Sequence, residues 1–333
     1  MSHLLLLGAG FSKNWDGWLA SEAFEYLLGC TEIKQNEQAR KLLWAHQDRG
    51  GFEAALATVQ QLYIQANREH HDTLHSLQNS VTRMFRDMNR GLIDRDSLNF
   101  SNFGDRSVVK FLTRFDAIFT LNQDVLLEHH YMVGNNVLLQ NERQPRQQGC
   151  ELPGMSRVTP PDPMLTNSWS QAIWYPKERS QFAIDPRSQP VFKLHGSSNW
   201  QHPDGRHMLI IGGAKMREIG QTPILNWYYD QFEEMLYRPD TKLMVIGYGF
   251  RDDHVNQTLI RAGDRGMKMF VIAPEGADLA RQNNPTRARN QIVVQTHLEA
   301  MFEQTLMGAS RRSLSGTFGQ DTAEFNKIMQ FFD

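Results

Sequence analysis

The sequence predicts an α/β fold: a doubly wound parallel sheet with a helical insertion. Three observations lead there. Short, wholly apolar runs recur along the chain, each closing on glycine or a small polar residue, which is what strands buried on both faces require. Between them lie segments whose apolar residues repeat at helical spacing. The length of 333 residues suits roughly two domains, or one large domain carrying an insertion.

Taken in order, Leu4–Leu7, Ala117–Leu121, Leu243–Ile246 and Met269–Ala273 read as buried parallel strands, with Val191–Leu194 and Met208–Ile211 as further members of the same sheet. Phe52, Ala55, Leu56, Val59, Leu62 and Tyr63 share one helical face, and Leu74, Leu77, Val81, Met84, Phe85 and Met88 another. Strands alternating with helices make a doubly wound sheet. Residues 31–114 are mostly helical and too long for an ordinary crossover, so they read as the insertion. The sheet domain then takes 1–30 and 115–306. Residues 141–190 read as an irregular lid or loop, because Pro145, Pro153, Pro160, Pro161, Pro163, Pro176, Pro186 and Pro190 interrupt any regular pattern. Residues 308–333 read as a linker followed by an amphipathic helix bearing Phe325, Ile328, Met329 and Phe332.

Composition removes several function classes. Lys and Arg number 35 against 37 Asp and Glu, a net charge of -2, so no bulk positive field marks a nucleic-acid or membrane-surface binder. The tracts Arg281–Arg289 and Arg311-Arg312 lack interleaved aromatics and read as solvated faces. Cys30 and Cys150 stand alone and far apart, which supports neither a disulfide framework nor a structural zinc module. No apolar run approaches the roughly 20 residues of a membrane span. A cytoplasmic protein is expected. The histidines, including His70-His71, His129-His130, His202 and His207, show no metal-ligand spacing.

The chemistry gathers where strands end. Leu7 runs into Gly8-Ala9-Gly10-Phe11-Ser12, where glycines let a backbone approach a pyrophosphate and a helix N-terminus can face its oxygens. Lys13 stands where the dinucleotide fingerprint has its third glycine, and a tight turn without ligand is the alternative reading of the pattern. Thr120-Leu121 leads into Asn122-Gln123-Asp124, side chains at a ligand crevice or a simple helix cap. Leu194 leads into His195-Gly196-Ser197, a lone histidine that reads as a base or as a structural residue. Ile246 leads into Gly247-Tyr248-Gly249-Phe250, with Asp252 just beyond. Parallel strands ending this way bring their tips to one sheet edge.

These four segments resemble the ordered NAD-site motifs of the sirtuin-like superfamily, over roughly residues 4 to 275. The chain is more similar to the bacterial sirtuin-like proteins of antiphage defence than to protein deacetylases. Two cysteines cannot build the deacetylases' four-cysteine zinc module, so no zinc is expected. Their Ile-Pro-Asp-Phe-Arg segment is replaced by Trp15-Asp16-Gly17-Trp18-Leu19.

The resemblance implies a Rossmann-like domain that takes NAD+ as substrate and cleaves it to nicotinamide and ADP-ribose. It implies His195 as general base and Asn122 holding water or ribose hydroxyls. Asp124 would grip the nicotinamide carboxamide, and Gly8, Ala9, Gly10, Phe11, Ser12, Gly196 and Ser197 would line the dinucleotide. Gly247, Tyr248, Gly249, Phe250 and Asp252 would lie on the adenosine side. It further suggests a homo-oligomer and a hexameric translocase ATPase as partner. An ADP-ribosyltransferase or deacylase, and a nucleotide sensor without turnover, stand as alternatives.

Overall fold

A computed structural model describes the chain except residues 49, 66–69, 101–105, 133–138, 142–143, 147–148, 159–171, 212–214 and 288–293. Its centre is a parallel sheet. Strand β1 (Ser2–Leu7) pairs on one side with β2 (Ala117–Thr120), Leu4 opposite Ala117 and Leu7 opposite Thr120. Leu4 to Leu7 are each no more than 1% exposed, which stabilises the fold by about 1.5–3 kcal/mol per side chain.

Between β1 and β2 the described residues are mainly helical: α1 (Ala9–Ser12), α2 (Ala20–Gly29), α3 (Thr31–Gln35), α4 (Glu37–His46), α5 (Gly51–Gln65), α6 (His71–Ile93) and α7 (Val108–Leu112). Their apolar stripes face one another. Phe52, Ala55, Leu56 and Val59 of α5 are buried, as are Leu77, Val81, Met84, Phe85 and Met88 of α6. Helix α8 (Leu126–His130) follows β2.

The stretch read from its prolines as irregular contains short strands, the end of β3 (Leu139–Asn141), β4 (Gln144–Arg146), β5 (Cys150–Glu151), β6 (Met155–Val158), β7 (Ile173–Pro176) and the start of β8 (Gln189–Lys193). Pro153 and Pro186 lie in turns, Pro176 ends β7, Pro190 stands near the start of β8, and Pro145 lies in the two-stranded β3-β4 pair, positions where a missing backbone donor is tolerated. Pro160, Pro161 and Pro163 lie outside the described residues.

Beyond β8 come β9 (Gly196–Gln201), β10 (His207–Leu209), α9 (Lys215–Gln221), α10 (Pro223–Leu236), β11 (Thr241–Ile246), α11 (Asp253–Asp264), β12 (Lys268–Ile272), α12 (Leu279–Gln282), α13 (His297–Thr305) and β13 (Leu306–Ser310). The seven-stranded sheet runs β13-β12-β11-β1-β2-β8-β5, and every pairing in it is parallel. With helices against it, this is the Rossmann-like α/β architecture.

One strand differs from expectation. Met208–Ile211 does not join the main sheet; β10 pairs antiparallel with β9 in a second, four-stranded sheet, β10-β9-β7-β6. Gly196, at φ +73°, turns the chain out of β8, and a Cβ there would meet the Met208 carbonyl oxygen at 2.1 Å. A short apolar run does not say which sheet will bury it.

The C-terminal segment also departs from a linker. Residues 308–310 form part of the edge strand β13, followed by α14 (Leu314–Gly319) and α15 (Thr322–Met329). Ile328 and Phe331 are fully buried. Phe331 packs on His3 and Phe115, and Phe332 on Phe111 and Phe115, so the segment covers its own domain. Among the described residues, no helix is long and apolar enough to cross a membrane.

Candidate functional site

Adjacent strands β11, β1, β2 and β8 deliver the four singled-out segments to one edge, since parallel strands all end on the same side. Gly8 and Gly10 are needed first for chain crossing. A Cβ on Gly8 would meet the Gly247 oxygen at 2.6 Å, and one on Gly10 the Gly247 Cα at 2.7 Å. Gly247 itself has φ +65°, with Phe11 N 2.2 Å from where its Cβ would stand. The glycine turns after β1 and β11 therefore interlock backbone to backbone. The amides of Gly8, Gly10 and Phe11 donate to Ile246, Gly247 and Gly8 carbonyls, while Ala9 stands exposed at the rim.

Ser12, Asn122 and Asp124 come together. Ser12 Oγ donates to Asp124 Oδ2 at 2.7 Å and accepts from Asn122 Nδ2 at 3.0 Å. Asp124 Oδ1 accepts from the Leu126 amide at 3.0 Å, so this carboxylate both caps the turn into α8 and orients Ser12. Thr120, Leu127, Glu128 and Lys193 complete a small pocket with these three side chains.

The His195 backbone is tied to Gln123, the residue between Asn122 and Asp124. Gln123 Nε2 donates to the carbonyls of His195 and Ile210 at 3.1 and 2.7 Å, and the Ser198 amide donates to Gln123 O at 2.9 Å. Asn89 of α6 fastens the insertion onto the start of α8 and onto β9: its oxygen accepts from the Val125 amide at 3.2 Å, and its amide donates to Ser198 Oγ at 2.8 Å.

The imidazole of His195, 3% exposed, lies 3.2 Å from His254, Nε2 to Nε2. Burial pushes its pKa down to about 3, the Lys215 ammonium adding to the fall and Asp252 opposing it. Lys215 contacts Asp252 at 2.6 Å and Glu53 of α5 at 2.8 Å. Burial alone would lower the lysine, but these carboxylates turn its net shift upward. For Asp252, burial works upward, and the charges of His195 and Lys215 bring the net shift downward.

Other singled-out residues face inward. Phe11 packs against Trp15 at 4.9 Å between ring centroids. Ser197 is fully buried, its hydroxyl 3.3 Å from Glu128 Oε1. Tyr248 is 5% exposed and its hydroxyl donates to Asn256 Oδ1 at 3.1 Å. Phe250, at φ 53°, packs on Phe302. Of that turn, Gly249 stands exposed and Asp252 half-buried.

Sequence reading missed His254, Lys215, Gln123, Asn89 and the buried pair Lys193 and Glu128. Lys193 Nζ lies 2.5 Å from both Glu128 Oε1 and the Asp124 carbonyl oxygen. A lysine between the apolar residues Val191-Phe192 and Leu194 was the available signal, since buried lysines need a paired charge. Among the described residues, no group of three or more His, Cys, Asp or Glu side chains is placed to hold a metal ion.

A comparison with curated proteins finds no match. Residues 116–295 match the family model of the SIR2-like domain. That span, more than half of the chain, starts at β2, stops just before α13, and takes in the segments of Asn122, His195 and Gly247. The chain belongs to the SIR2-like family, and its function is NAD-related.

Proposed function

We propose that the chain is an NAD+ glycohydrolase, converting NAD+ and water to nicotinamide, ADP-ribose and a proton. The observation that carries this reading is the convergence of Ser12, Asn122 and Asp124 beside a loop stitched to His195. The departing nicotinamide takes the electron pair of the glycosidic bond and leaves neutral, so little acid assistance is needed. The barrier lies in the oxocarbenium-like ribosyl transition state.

In this reading His195, neutral at pH 7 because of its burial, accepts a proton from the attacking water or from a ribose hydroxyl. Asn122, half-buried and already oriented by Ser12, holds the water or ribose hydroxyls. Asp124 receives the nicotinamide carboxamide. Ala9, Gly10 and Gly249, together with Asp252, form the rim toward the phosphates and adenosine. As an effector of antiphage defence, such an enzyme would act by depleting NAD+, held silent until a partner, a translocase ATPase, releases it.

Incubating the purified chain with NAD+, alone and with its partner, and separating the products tests this. Nicotinamide and free ADP-ribose should accumulate in equal amounts, and His195→Ala and Asn122→Ala should each slow release by about 10²- to 10⁴-fold. A modified protein in place of free ADP-ribose means transferase chemistry; binding without turnover means a sensor. Undiminished release by His195→Ala removes that residue as the base.

A further inference from the structure

His254 is a second imidazole at the site, to which the reaction above gives no task. It stands in the first turn of α11, two residues after Asp252. Its Nε2 lies 3.2 Å from His195 Nε2, with ring centroids 5.4 Å apart. His195 is buried and His254 half-buried, so the two rings lead from the interior toward the surface. A hydrogen bond between two neutral imidazoles through these nitrogens requires a proton on one Nε2 and a lone pair on the other. That is the geometry along which a proton crosses.

We propose that His254 is a positioning residue that receives, across the Nε2 to Nε2 contact, the proton load His195 takes on in the NAD reaction, and passes it to solvent. The inference rests on the reading of His195 as the base. His195 begins with hydrogen on Nε2, donated to His254 Nε2. Its Nδ1 lone pair takes the proton from the water or ribose hydroxyl, whose oxygen keeps the bonding pair. The Nε2 proton then moves onto His254 Nε2, and His254 releases its Nδ1 proton to water. One proton enters and one leaves, and only N–H and O–H bonds change.

The surroundings favour that direction. A buried imidazole as weakly basic as His195 does not hold a positive charge for long beside Lys215. His254 is also lowered by burial and by Lys215, but Asp252 and Asp253 oppose the shift. The charged and titratable groups facing it are those two aspartates on its own element, Lys215 of α9, His195 at the end of β8, and Tyr229 of α10. The Tyr229 hydroxyl donates to the His254 carbonyl oxygen at 2.7 Å, and its ring centroid is 5.7 Å away. Glu53 reaches the group through Lys215.

Nicotinamide release by the full chain, its His254→Gln and its His254→Ala variants, followed across the neutral pH range with and without added imidazole, tests the proposal. Glutamine keeps a hydrogen-bonding side chain but cannot relay a proton. Both variants should lose about tenfold or more in kcat with KM for NAD+ unchanged, and imidazole should restore His254→Ala. Wild-type kcat and pH profile in His254→Gln, or no response of His254→Ala to imidazole, overturns the proposal. A second readout needs no turnover: in ¹⁵N-histidine NMR, His195→Gln should move the titration of His254. A His254 titration indifferent to that change also overturns it. A wild type that releases no nicotinamide removes the hydrolase reading instead, and the NMR result then decides whether the pair shares a proton.

Discussion

Ser12 Oγ donates to Asp124 Oδ2 at 2.7 Å across 112 residues of sequence, joining the turn after β1 to the turn after β2. The same hydroxyl accepts from Asn122, so one buried oxygen fixes two side chains of the candidate site. In a site that works by positioning, such a bridge sets how far each group strays from its working geometry.

Ser12→Ala should remove that bridge and leave the Asp124 oxygen without its donor. Ser12 is 3% exposed, so the loss should be about 1–3 kcal/mol of stability, with slower nicotinamide release. Urea denaturation alongside the release assay measures both. An unchanged midpoint and rate would mean that Ser12 is a passenger.

Acid should destabilise the fold through His195. Its folded pKa of about 3 lies below the ordinary 6.5, so as pH falls through 6.5 the unfolded chain takes up a proton that the folded chain refuses. Above that value neither state is protonated and the penalty vanishes. Between about pH 7 and pH 5 the contribution amounts to about 2 kcal/mol lost, and His254, lowered in the same direction, acts alike. Denaturation midpoints against pH for wild type and His195→Gln check this. Parallel curves contradict it.

Lys193 and Glu128, 2% and 1% exposed, form an ion pair that should be intolerant of halving. Lys193→Met alone leaves a buried carboxylate uncompensated and should destabilise by about 3–5 kcal/mol. Adding Glu128→Gln should recover much of that, because the isolated charge is gone. Equal stability of the single and double variants, measured by urea denaturation, would argue against a charge pair.

Phe331→Ala should destabilise by about 3–5 kcal/mol, since its ring is fully buried among His3, Phe115 and Phe270. A thermal midpoint equal to that of wild type would detach the C-terminal helix from the domain.

The central sheet was legible in the chain because a strand buried on both faces must be apolar throughout, and Leu4–Leu7, Leu243–Ile246 and Met269–Ala273 announce that. The same signal misplaced Met208–Ile211, since apolarity states that a run is buried but not by which sheet. Prolines hid β6 and β7, because Pro153 stands in the turn before β6 and Pro176 is the last residue of β7, where a missing backbone donor breaks no strand. The small and polar character of residues 308–310 concealed β13: Gly308 is glycine because a Cβ would meet the Phe270 ring at 2.6 Å, a reason absent from local pattern.

Within the site, the sequence by itself determined which residues stand at strand ends, because direction and register of a parallel sheet follow from the strands. Only the tertiary structure decided what those residues touch. It turned Tyr248, Phe250 and Ser197 inward, interlocked Gly8 and Gly10 with Gly247, and set His254 against His195. Side-chain pairing depends on packing among segments distant in the chain, and such contacts leave no periodicity for a sequence to display.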